Sequence, residues 1–178
     1  HDFVPQARAR GAAGVLVSRP VAGEGPAIVV EDTRAGLARL AAAWRSRFAL
    51  PVLALTGSNG KTTVKEMLAA ILAAHAGGAG AVLATEGNLN NDIGLPLMLL
   101  RLRAHHRFAV LEMGMNHAGE IEFLSRLAAP TAALVNNAQR EHLGLLGSVE
   151  AVARAKGEIY GGLAGGGAGR GYPAGAPP

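Results

Sequence analysis

Short apolar runs alternate along this chain with stretches in which apolar residues recur every three or four positions, and polar loops separate the two. Residues 15–17 (Val-Leu-Val) and 28–30 (Ile-Val-Val) read as two short buried strands, divided by a Pro/Gly-rich turn over 19–26. Asp32 and Thr33 can cap a helix in which Leu37, Leu40, Ala41, Trp44 and Phe48 fall at helical spacing, with Trp44 a core or interface residue. Pro51 breaks that pattern and a regular series begins. Strands are expected at 52–55, 82–84, 108–111 and 132–135, and helices at 64–75, 95–102, 119–127 and 148–163. Such alternation predicts an α/β fold with a mainly parallel sheet and helices on both faces. Ligands of such sheets gather beyond the carboxyl ends of the strands. Each strand of the series is followed by a polar cluster, at 56–63, 85–92, 112–120 and 136–142, so four segments are expected on one rim.

Composition narrows the picture. With 178 residues, 49% of them apolar, the chain is long enough for one domain or parts of two, with a sizeable core. Cysteine is absent, which removes disulfides and thiolate metal sites and fits a reducing, cytoplasmic setting. The net charge of +4 comes from dispersed arginines, and aromatic residues are only 4% of the chain. That pattern lacks both the basic cluster and the stacking platform of a nucleic-acid binder. No apolar run approaches the ~20 residues of a membrane span, and no signal peptide is visible. The tail at 164–178 is rich in Gly and Pro without hydrophobic period and is expected to be disordered. The chain starts at His1 and looks truncated at both ends.

The first polar cluster carries the sharpest chemistry. Thr56-Gly57-Ser58-Asn59-Gly60-Lys61-Thr62-Thr63 lies between an expected strand and an expected helix. Glycines let successive N–H groups converge on an anion, and the helix N-terminus adds its partial positive charge. Gly57, Ser58, Asn59, Gly60, Lys61, Thr62 and Thr63 are therefore candidates to hold the phosphates of ATP. Lys61 would reach the terminal phosphates and the Thr62 hydroxyl would hold Mg2+. The loop departs from the common G-x-x-x-x-G-K-[ST] spacing, because Leu55 stands where the first glycine would be. An ordinary Asn-Gly turn with a solvated lysine is the alternative. Glu112, just past an apolar strand, is a hard oxygen donor for magnesium or else a surface carboxylate. Thr85, Asn88, Asn90, Asn91 and Asp92 form a dense polar loop that suits a polar substrate or simply shapes turns. His75, His105 and His106 read as solvated.

Taken together, these segments resemble the Mur ligases, which build the peptidoglycan precursor. The resemblance covers roughly residues 1–163. It rests on T-G-S-N-G-K-T-T at 56–63, T-E-G-N-L-N-N-D-I-G-L-P at 85–96, E-M-G-M-N-H-A-G-E-I at 112–121, V-N-N-A at 135–138 with His142-Leu143, and A-K-G-E-I at 155–159. The second and third motifs resemble the branch of the family that adds D-alanyl-D-alanine. The resemblance implies an incomplete P-loop ATPase domain at 51–163, preceded at 1–50 by the end of a small α/β UDP-sugar-binding domain. It implies a ligase that uses ATP and Mg2+ to join UDP-N-acetylmuramoyl-tripeptide to D-alanyl-D-alanine through an acyl phosphate.

The resemblance also assigns roles. Lys61, Lys156 and His142 would be catalytic, and Thr62, Glu112, His142 and a carbamylated Lys156 would hold metal. Asn137 would join the loop in nucleotide binding, with Asn136 beside it. Thr85, Asn88, Asn90, Asn91, Asp92, Asn116 and His117 would face the substrate. For Lys156 the plain alternative is an exposed helix lysine. Two departures stand out: Gly144 follows His142-Leu143 where relatives carry an acidic residue, and Gly/Pro-rich sequence replaces an expected strand after Leu163. A truncated chain of this kind is expected to have weak activity or none by itself. Other readings are a different P-loop enzyme, such as a kinase, or a noncatalytic nucleotide-binding fragment.

Overall fold

A strand with no polar face sets the architecture. In β3 (Val52–Thr56) four of five residues are buried, Val52, Ala54, Leu55 and Thr56. A strand of that kind needs neighbours on both edges and cover on both faces. The computed structural model describes residues 1–23, 25–139 and 147–164. His142 and the tail from 165 onward, expected to be disordered, lie outside the described residues.

The chain divides into two compact units, His1–Leu40 and Ala41–Pro178. In the first, α1 (Val4–Ala9) precedes β1 (Val15–Val17) and β2 (Ala27–Val29), which pair in parallel. α1 falls in a stretch where no element is expected from the sequence. β2 also differs from expectation: Ile28 is 64% exposed, so the strand is not buried. A two-stranded sheet has too little cover to bury both its members.

The helix α2 (Thr33–Arg45) starts where Asp32 Oδ1 accepts the N–H groups of Arg34 and Ala35, as its sequence predicts. Its buried seam is shifted from the expected one, however. Ala38, Ala41 and Arg45 are buried, while Leu40 is 54% exposed. Small residues let a helix approach its neighbours closely, and side-chain size alone misjudges that face.

In the second unit β3 is followed by α3 (Lys61–Ala76), β4 (Val82–Ala84), α4 (Gly94–Leu99), β5 (Phe108–Glu112), α5 (Glu120–Ala128) and β6 (Ala132–Val135). After them come α6 (Val149–Gly157) and a 3-10 turn, Glu158–Gly162, in place of the single long helix expected at 148–163. The four strands form one parallel sheet in the order β4-β5-β3-β6. The crossover from β3 to β4 passes over β5, and that from β5 to β6 passes over β3 in the opposite sense. Since such crossovers are right-handed, α3 and α5 fall on opposite faces.

Arg45 supports the α5 side. Its Nε donates to Ala128 O at 2.9 Å, Nη2 to Ala129 O at 3.2 Å and Nη1 to Phe48 O at 2.6 Å. The carbonyls at the end of α5, which have no partner within the helix, thus receive a guanidinium. Burial lowers the pKa of this arginine. Trp44 sits edge-on to Phe48 and donates through Nε1 to Leu102 O, a core role. No helix among the described residues is long and apolar enough to cross a membrane.

Candidate active site

The polar clusters do follow the carboxyl ends of β3, β4, β5 and β6, and hydrogen bonds tie them together. The loop after β3 turns into α3 at Gly60, whose φ of +72° is one that glycine adopts without strain. The N–H groups of Lys61, Thr62 and Thr63 then form the first turn of α3, where no helical acceptor exists for them. They are suited to an anion. Lys61 Nζ donates to the loop's own carbonyls, Gly57 O at 2.7 Å and Ser58 O at 3.3 Å.

The segment after β6 clamps this loop. Asn137 Oδ1 accepts the N–H groups of Ser58 and Asn59, each at 3.0 Å. Asn136 Nδ2 and Asn137 Nδ2 both donate to Asn59 O, at 2.8 and 3.0 Å. Gln139 completes the clamp, its N–H donating to Ser58 Oγ and its Oε1 accepting from Asn59 Nδ2. A methyl group on Gly57 would sit 3.0 Å from Asn136 Cβ and 3.3 Å from Asn137 N, so glycine lets the two segments approach without a shift of either. Asn137, to which the resemblance gives a part in nucleotide binding, thus lies against the phosphate loop. Gln139 carries no sequence signal for its part in the clamp.

Glu112, at the end of β5, is buried and faces α3. Its Oε2 accepts from Thr62 Oγ1 at 3.0 Å and its Oε1 from Asn90 Nδ2 at 2.8 Å. Two hard oxygens 3.0 Å apart have the spacing of adjacent corners of an octahedron with bonds of about 2.1 Å, the geometry magnesium demands. The donor set fits that ion. Among the described residues no group of three or more His, Cys, Asp or Glu side chains gathers for a metal. Nucleotide oxygens and water would complete the shell, as is usual for magnesium.

The loop after β4 divides in two. Thr85 is only 1% exposed, and its hydroxyl accepts the Glu112 N–H at 2.9 Å. Thr85, expected at the substrate rim, faces inward and holds the end of β5. Asn90 likewise turns toward Glu112. Asn91 Oδ1 accepts the N–H groups of Ile93 and Gly94 and so starts α4. Gly94 is needed there because a Cβ would lie 2.4 Å from Leu89 Cα. Asn88 is exposed and Asp92 half-buried.

Beyond β5, Asn116 and His117 are exposed, and Glu120 shapes their loop. Its Oε2 accepts the N–H groups of Asn116 and His117, while Oε1 meets His117 Nδ1 at 3.2 Å. Burial alone would raise the Glu120 pKa, but those two N–H groups and the His117 ring together hold it below its ordinary value. Glu158 caps the same turn, accepting from Gly119 N–H and Glu122 N–H.

Lys156 lies in the last turn of α6 and is 1% exposed, unlike the solvated helix lysine left open by the sequence. Lysine is seldom so deeply buried. His75 packs edge-on to Phe108 and His105 lies beside His106. His106 Nδ1 accepts the Arg103 N–H, and burial with its cationic neighbours lowers its pKa.

Residues 55–169 match the family model of the Mur ligase middle domain. The chain is 52% identical over 163 residues to the UDP-N-acetylmuramoyl-tripeptide–D-alanyl-D-alanine ligase of Escherichia coli K12, covering 92% of this chain and 35% of that protein. It is 46% identical over 166 residues to the same ligase of Bacillus subtilis 168, again covering 92% and 35%. Among solved structures it resembles a MurF of Acinetobacter baumannii, with TM-score 0.85 and 47% identity over 92% of this chain and 35% of that one. It also resembles the MurF ligase of Thermotoga maritima in complex with ADP, with TM-score 0.81 and 33% identity over 92% of this chain and 37% of that one. The chain thus spans about a third of the length of these relatives.

Proposed function

The chain belongs to the Mur ligase family, and from that premise we propose that it supplies the phosphate-gripping part of an ATP-dependent ligase joining UDP-N-acetylmuramoyl-tripeptide to D-alanyl-D-alanine. The contact between Thr62 on the phosphate-loop helix and Glu112 on the neighbouring strand carries this reading. Residues 1–50 are the end of a UDP-sugar-binding domain and 51–163 the first part of the ATP-binding domain. The names of the similar ligases supply the substrates, and the ADP complex of a structural relative supports the nucleotide. The use of ATP and a nucleotide-linked sugar supports a cytoplasmic setting for the activity.

In this reading the tripeptide carboxylate attacks the γ-phosphorus of ATP, the bond to the β-phosphate oxygen breaks, and ADP leaves. The amine of D-alanyl-D-alanine then attacks the acyl phosphate carbon, loses a proton and releases phosphate. Both partners of the first step are anionic, so alignment and positive charge dominate its barrier. Lys61 exchanges the carbonyls of Gly57 and Ser58 for phosphate oxygens, which are stronger, charge-assisted partners. The N–H groups at the start of α3 hold the same phosphates. Thr62 and Glu112 would hold magnesium, which would supply positive charge to neutralise the phosphates. Asn136, Asn137 and Gln139 keep the loop in shape. Asn88, Asp92, Asn116 and His117 face the peptide substrate. The burial of Lys156 supports its carbamylation: the ammonium gives up a proton, the amine adds to CO2 and a second proton leaves, so that a cation becomes an anionic oxygen donor. The family resemblance assigns His142 to metal binding as well.

Replacing the matching segment of the Escherichia coli relative with residues 51–163 tests the proposal. The chimera is expected to release phosphate only when both UDP-tripeptide and D-alanyl-D-alanine are present, and Lys61→Ala to abolish that release. Phosphate transfer to a hydroxyl acceptor, or ATP turnover indifferent to D-alanyl-D-alanine, would contradict it.

A further inference from the structure

Lys65 is a buried lysine for which the reaction above has no use. It is 3% exposed and lies one turn beyond Thr62 on α3, so both point from the same side of the helix toward the sheet. Its Nζ donates to Thr85 O at 2.6 Å and meets Glu66 Oε1 at 2.7 Å. Glu66 is largely exposed, so the Thr85 carbonyl is the buried anchor.

Thr85 in turn accepts the Glu112 N–H through Oγ1, and Glu112 Oε2 accepts from Thr62. The contacts close a circuit: Thr62 and Lys65 on α3, Thr85 at the end of β4, Glu112 at the end of β5. A second threonine braces the other side of Glu112, since Thr56 Oγ1 donates to Met113 O at 2.8 Å. Without the Lys65 bond, α3 keeps its packing on the sheet but loses its side-chain anchor to the end of β4, while the phosphate-loop contacts on the β6 side stay made. The separation of Thr62 from Glu112 then rests on fewer constraints.

From this circuit we infer that Lys65 is a positioning residue: through the Thr85 carbonyl it sets the distance between Thr62 Oγ1 and Glu112 Oε2, and so tunes the magnesium affinity of the nucleotide complex. The inference rests on reading Glu112 as a magnesium ligand. Partners that orient metal-bound groups typically contribute 10- to 100-fold to metal affinity.

The test is calorimetric titration of ADP into the 178-residue chain with and without Mg2+, read as the ratio of the two affinities. Lys65→Met is expected to cut the ratio by about tenfold or more, and Lys65→Arg, which can still reach Thr85 O, to restore most of it. A ratio retained in Lys65→Met alongside a lower melting temperature would overturn the inference, because the residue would then be structural only. Should Lys65→Met not fold, Lys65→Gln, which is uncharged and shorter, decides: a lost ratio supports the inference and a retained ratio refutes it. Glu112→Gln separates the two claims. If it leaves the ratio intact, the magnesium reading itself fails; if it abolishes the ratio while Lys65→Met does not, only the role of Lys65 falls.

Discussion

Gly60 shows how one residue joins backbone geometry to chemistry. At φ +72°, alanine carries the left-handed penalty of roughly 1–2 kcal/mol, and its Cβ would meet Asn136 Nδ2 at 3.2 Å. Gly60→Ala is therefore expected to destabilise the chain by about that amount and to weaken nucleotide binding as well, checked by denaturant melts and ADP titration. Ser125 makes a purely structural comparison. It is buried and its hydroxyl donates to Ile159 O, which ties α5 to the 3-10 turn. Ser125→Ala removes that tie and should cost about 0.5–1.5 kcal/mol with no change in ADP affinity. The phosphate loop was readable at this scale because its residue types and their order carry the chemistry. Lys65 was not, since a single lysine within an amphipathic helix looks the same whether it is solvated or pinned to a carbonyl.

Elements were legible where their period is clear and illegible where burial depends on partners. The alternation of apolar runs and helical spacing located β3 to β6 and placed the polar clusters at their carboxyl ends. α2 was foreseen from Asp32 and its periodicity, yet its buried side was misjudged, because Arg45 is buried only by virtue of the carbonyls at the end of α5. Arg45→Met should leave those carbonyls unpaired and lower stability by about 1–3 kcal/mol, measurable by urea unfolding. The turn into α5 offers a pH test. The folded-state pKa of Glu120 is depressed by the Asn116 and His117 contacts, which outweigh burial. Its contribution is thus complete above the ordinary glutamate value of about 4.3 and is lost as pH falls through the lower folded value. Glu120→Gln should flatten that part of the stability profile, and a profile unchanged by the substitution would refute the assignment.

At the scale of the whole molecule, loops from one parallel sheet converge on one rim, the proposed nucleotide site, and their hydrogen bonds fall into two halves. Asn136, Asn137 and Gln139 hold the phosphate loop from the β6 side, while Thr62, Asn90, Thr85 and Glu112 join α3 to β4 and β5. Strand order was beyond the sequence, because hydrophobic pattern identifies strands without saying which of them pair. The inward turn of Thr85 and Asn90 was hidden for the same reason, since their target is on another strand. The account's central claim is that Lys61 and the Thr62–Glu112 pair grip the phosphates of an adenine nucleotide together with magnesium. Calorimetric titration of ADP into the native chain, with and without Mg2+, tests it most directly. Magnesium should strengthen binding, Lys61→Ala should weaken it roughly 10- to 100-fold, as loss of a charge-assisted hydrogen bond implies, and Glu112→Gln should remove the magnesium effect. Binding of ADP that is indifferent to Lys61 and to magnesium would contradict the account.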